Sequence, residues 1–201
     1  MTYPKFYETI ETIKVQDELS SFLGAFENGI YEISYLEIVK SAGHSCPTVL
    51  GAYLMTSEAL KALYPNTNAK RGEIEVSFKE RQSEAVAGAI GNVIMNITGA
   101  CTNNGFKGIA GNFDRNYLLK FEQDIKEASA RFTRVDTKKS VDVFYNASSI
   151  QFDPSMQGLM QKCVKGEASY EEKIEFGKVW QQRVEDISKN ISSVITVKEL
   201  N

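Results

Sequence analysis

Gly43-His44-Ser45-Cys46-Pro47-Thr48-Val49-Leu50-Gly51-Ala52-Tyr53-Leu54-Met55 is where the chain declares both a helix start and a reactive site. Proline fits the first position of a helix because its missing N–H is one a helix start leaves unpaired anyway. With Pro47 there, Cys46 becomes the N-cap, facing free backbone N–H groups and the positive end of the helix dipole, which together favour a thiolate. Leu50, Tyr53, Leu54, Leu60, Leu63 and Tyr64 then recur on one helical face, until Pro65-Asn66 stops the helix.

His44 is the single histidine of the chain, two residues from Cys46. In an extended segment, residues two apart face the same way, and imidazole with thiolate is a ligand pair for zinc and other borderline or soft cations. The same two groups suit nucleophilic catalysis, Cys46 as thiolate and His44 as its base. The plain alternative is a small buried cysteine beside a hydrogen-bonded turn histidine, about as frequent for an isolated His-x-Cys.

Outward from this stretch the pattern is mixed. Toward the N-terminus, Phe6, Ile10, Ile13, Leu19, Phe22 and Leu23 predict a helix, or two short ones, over 5–23, and the β-formers from Ile30 to Val39 predict a strand running into Gly43. Downstream, Glu73 to Lys79 alternates as a half-buried strand does, and Val86, Ile90, Val93, Ile94 and Ile97 form a helical stripe closed by Thr98-Gly99. Strand-like pieces follow at 106–109, 117–121, 130–135 and 141–145. Two helices come after Asp153-Pro154, one over 156–164 and a longer one opened by a Ser169/Glu172 capping box and carrying Trp180, and Val194–Val197 reads as a last strand. The sum is an α+β fold, a mixed or antiparallel sheet packed with helices, plus a C-terminal helical hairpin whose seam, or a dimer interface, takes Trp180. Residues 1–153 read as the α+β domain holding the site and 154–201 as a helical extension packed on it.

Composition narrows the function classes. A chain of 201 residues, 42% hydrophobic and 24% charged, buries a sizeable core. Its formal net charge of -3, with scattered Lys and Arg, speaks against nucleic acid as a partner. No apolar run is long enough to span a bilayer and no secretory signal opens the chain, so the expected location is cytoplasmic, or periplasmic if a signal peptide has been removed. Cys46, Cys101 and Cys163 are odd in number and widely spaced, which is no disulfide framework.

Two blocks, Gly43 to Met55 and Ile97-Thr98-Gly99-Ala100-Cys101-Thr102-Asn103, resemble in order and spacing the G-H-x-C-P and T-G-C-T segments of the FmdE family, named after a component of formylmethanofuran dehydrogenase; the second has one extra residue, Ala100. The resemblance covers roughly residues 30–135. It implies an α+β fold, a homodimer, and a metal site carried by His44, Cys46 and Cys101, holding zinc or another transition metal such as nickel or iron. Three N/S ligands leave one coordination position open to water or a small-molecule ligand. The family's further cysteine segment reads Ser83-Glu84-Ala85-Val86-Ala87-Gly88 here, without cysteine, and the C-terminal part has only Cys163, so no terminal zinc module can form. Binding a metal is therefore easier to support than catalysis.

Beside Cys101, the glycine-rich run from Thr102 to Gly111 lacks the spacing of a Walker A loop or dinucleotide fingerprint and reads as a turn and strand start. Asn103, Asn104 and Lys107 are its candidate contacts to a bound anion or substrate. Glu80 and Glu84 are candidate carboxylate partners for His44. Heme carriage by His44 or Cys46 is a third function class, with no sequence feature of its own.

Overall fold

In the computed structural model, which describes residues 2–200, the chain forms two mixed sheets wrapped around a buried helix. After a 3-10 turn at Lys5–Thr9 come strand β1 (Ile13–Gln16), the short helix α1 (Glu18–Phe22), strand β2 (Ile30–Ile33) and helix α2 (Tyr35–Ala42). Helix α3 (Pro47–Leu63) follows, then β3 (Ala69–Lys70), β4 (Ile74–Ser77), α4 (Ala87–Thr98), β5 (Leu119–Lys120), β6 (Ala130–Arg134) and β7 (Ser140–Tyr145). The chain ends through α5 (Met156–Lys165), α6 (Tyr170–Lys189), α7 (Ile191–Val194) and β8 (Ile195–Leu200). The smaller sheet has the order β2-β1-β3 and the larger β5-β4-β6-β7-β8. Each contains one parallel pair, β1 with β3 and β4 with β5.

Helix α3 is buried nearly all round, with Leu50, Ala52, Tyr53 and Met55 wholly out of solvent. It is the axis of the core rather than a surface helix with one apolar stripe, and its contacts reach α4, β7 and β8. Gly51 makes the closest approach possible: a Cβ there would stand 2.5 Å from Tyr145 Cε1.

The N-terminal third differs from its expected form. The segment 5–23 is not helical throughout, because Ile13 and Val15 alternate with Lys14 and pair with β2, and Asp17 caps a separate short helix by accepting from Leu19 N and Ser20 N. The expected strand 30–39 stops at Ile33. A reciprocal capping box, Ser34 with Glu37, starts α2, and Gly43 ends it in the left-handed region at φ 77°. The site residues therefore lie in a short link between two helices, not at the end of a strand.

The expected strand at 106–109 is also a loop. Positive φ at Gly108, Ala110, Gly111, Phe113 and Tyr117 breaks the extended backbone, and only an isolated bridge, Ile109 with Asn112, survives. Of 117–121 only β5 is strand. In the C-terminal part, α5 and α6 follow one another across a tight connection and share the Lys162–Glu172 ion pair. The last strand is longer than expected and runs antiparallel to β7 over six residue pairs, joining the larger sheet.

Candidate functional site

The link Gly43–Cys46 is held from several sides. Cys46 is extended (φ -151°, ψ 168°) and is the N-cap of α3, its Sγ accepting from Val49 N at 3.4 Å. His44 Nδ1 lies 3.1 Å from the carbonyl of Ala42. A carbonyl only accepts, so Nδ1 carries a proton, and in the neutral ring Nε2 then presents its lone pair. That lone pair meets Cys46 Sγ at 3.4 Å.

This separation decides what the pair can hold. Bonds of about 2.05 Å to nitrogen and 2.3 Å to sulfur at a tetrahedral angle place the two donors about 3.6 Å apart. The observed 3.4 Å fits two ligands of one zinc-sized cation, with the Ala42 carbonyl fixing the ring as an outer-shell partner does. It fits equally a thiol donating to an imidazole.

Cys101 does not join the pair. It follows the left-handed Gly99 that ends α4, its Sγ lies 3.5 Å from the Gly99 carbonyl, and its own N–H and carbonyl are bound to Arg115 and Leu119. Burial pushes its thiol up, against the opposing pull of Arg115 and Arg71. Among the described residues, no group of three or more His, Cys, Asp or Glu side chains is placed to hold a metal ion. The three-ligand set that the resemblance implies is thus represented within one chain by two members.

A groove of about 390 Å³ opens beside His44, lined by Ser41, Val49, Asn92, Val93 and Asn96 among others. Asn92 and Asn96 stand one turn apart on α4, and Asn96 Nδ2 donates to Ser41 Oγ at 2.8 Å. Sequence reading passed over both asparagines, although two amides at i and i+4 on an otherwise apolar helix were the available signal. Asn103, Asn104 and Lys107 do not line this groove; they sit exposed on the loop between α4 and β5, where Thr102 Oγ1 donates to Asn104 Oδ1. Glu84 caps its own turn through Arg81 N.

From the core side, Tyr35 OH and Ser45 Oγ are 2.8 Å apart, and Tyr145 OH donates to the Pro47 carbonyl at 2.8 Å. Burial pushes the Tyr145 phenol up to about 12, which keeps it a neutral donor. Trp180, expected in a helical seam or a dimer interface, donates its Nε1–H to the Ser45 carbonyl.

Fold and site together define an α+β protein with a paired imidazole and thiol at the N-terminus of its central helix. A family model described as FmdE, molybdenum formylmethanofuran dehydrogenase operon, matches residues 42–196. The chain belongs to the FmdE family. No curated protein matches it.

Proposed function

We propose that this FmdE-family chain is a metal-binding protein in which His44 Nε2 and Cys46 Sγ would hold zinc or another transition metal, leaving coordination positions for water or a small-molecule ligand. The observation that carries the reading is the 3.4 Å spacing of the two donor atoms, one of them on a ring held by the Ala42 carbonyl. A metal there would act as a Lewis acid on a bound water or carbonyl. The chain's own part is to orient the imidazole, to cap the thiol with Val49 N–H, and to offer Asn92 and Asn96 as hydrogen-bonding groups in the groove beside His44. The family's description supports an association with the formylmethanofuran dehydrogenase operon, and the homodimer implied by the resemblance belongs to the same reading.

Elemental analysis of protein purified without chelators is expected to find near-stoichiometric transition metal, lost in Cys46→Ser and His44→Asn. Equal metal in wild type and both variants would sink the reading. A second reading, Cys46 as a nucleophile with His44 as its base, is favoured by the same contact. It predicts alkylation of Cys46 in metal-free protein that slows at least tenfold in His44→Asn; an unchanged rate would count against it.

A further inference from the structure

Ser45 separates the two donors in sequence, and its backbone is held by a helix 135 residues away. Its carbonyl accepts two N–H donors from α6, Trp180 Nε1 at 3.1 Å and Gln181 Nε2 at 3.1 Å. Gln181 Oε1 in turn accepts from Tyr7 OH at 2.9 Å, and the Ser45 hydroxyl is bonded to Tyr35 OH. Ser45 is buried, while His44 beside it is exposed.

The orientation of the Ser45 carbonyl sets the peptide plane between residues 45 and 46, and so the direction in which Cys46 leaves the link. A carbonyl bound by two side chains of one helix cannot rotate without breaking both bonds. The local bonds, His44 to the Ala42 carbonyl and Val49 N to Cys46 Sγ, hold the two side chains from either end of the link but leave the Ser45 carbonyl between them to α6. The approach of Nε2 to Sγ therefore depends on α6 as well as on the local bonds.

We propose that Trp180 and Gln181 are positioning residues of the His44–Cys46 pair, acting through the Ser45 carbonyl, so that occupation of the pair is felt at Trp180. This rests on the metal-binding reading above. Trp180 is the chain's single tryptophan, so its emission comes from the one indole that donates to the Ser45 carbonyl.

The test uses the full chain with zinc alone as the probe. Trp180→Phe and Gln181→Met retain most of the side-chain volume and remove the N–H donors. Zinc affinity, measured by competition with a chelator well below the melting temperature of each variant, is expected to fall about tenfold or more in each, the range found when outer-shell partners of metal ligands are lost. The cobalt form of each variant is expected to show weakened thiolate-to-metal absorption, and wild-type tryptophan emission is expected to change on adding zinc but not in Cys46→Ser. If Trp180→Phe and Gln181→Met bind zinc as tightly as wild type while Cys46→Ser does not, α6 only packs against the link and the positioning role is overturned. Zinc binding through Cys46 with no change in emission overturns the coupling. If Cys46→Ser binds as wild type does, the metal reading itself fails and this inference with it.

Discussion

At the scale of single residues, Asp17 is a charge engaged on several sides. Its carboxylate caps α1 and also receives Arg115 Nη2 at 2.7 Å and Arg71 Nη1 at 3.0 Å, with only 4% of its side chain exposed. Burial alone would raise its pKa, but Arg115 and Arg71, with the Ser20 N–H, outweigh that and hold it below the usual carboxylate range. A depressed folded-state value means the contribution is fully present above about pH 4, the ordinary aspartate range, and is lost as pH falls through the lower folded value. Asp17→Asn is expected to cost about 3–5 kcal/mol at neutral pH, because two guanidinium groups lose their counter-charge in a poorly solvated place. Its urea midpoint should also vary less with pH below 4 than that of wild type. Equal acid slopes for the two proteins would show that Asp17 is not the group responsible. Arg71 also donates to the Ile97 and Asn96 carbonyls, so this cluster ties α1 to the end of α4 and to the loop that carries Cys101.

Among the elements, α3 joins core and site. Its first residue follows the cysteine, and its first turn touches β7 through the Tyr145–Pro47 hydrogen bond. Gly51→Ala would drive a methyl group into the Tyr145 ring, and overpacking of this kind costs about 1–3 kcal/mol. Thermal denaturation should show that loss, and in the same variant the shift of Tyr145 should disturb Pro47 and weaken zinc binding. A Gly51→Ala protein as stable as wild type would mean that the ring moves aside freely. The link before α3 depends on α2 as well: the capping box of Ser34 and Glu37 sets where that helix begins, and the left-handed Gly43 sets where it ends.

Across the whole molecule, the C-terminal segment is part of the main sheet. Strand β8 covers β7 from Ser140 to Tyr145, and Val184, Ile187, Val194 and Ile195 belong to the same core as α3. A chain cut after Lys189 is expected to lose cooperative unfolding in circular dichroism and to aggregate on size exclusion. The cut bares β7, whose Val141 and Val143 are wholly buried, as an unpaired edge. A truncated chain that stays monomeric and unfolds in one transition would refute this. Much of the architecture is legible in the linear chain: Pro47 after Cys46, Gly99 after Thr98 and Ser169 before Glu172 each state a local rule, and the helices they bound occur where those rules place them. The strand read over 30–39 failed where two local signals overlapped, since Ser34 and Glu37, which form the capping box, stand among the β-formers Ile33, Tyr35, Ile38 and Val39. The strand read at 106–109 failed because Gly108 turns the backbone into the left-handed region, and the positive φ of Ala110 and Phe113 just beyond it leaves no trace in hydrophobic pattern. By itself the sequence determined that an imidazole and a thiol stand at a helix start, because capping and proline chemistry act within a few residues. Only the tertiary structure decided that Cys101 stays apart and that Trp180 and Gln181 grip the peptide between His44 and Cys46, since those relations join segments that no local rule connects.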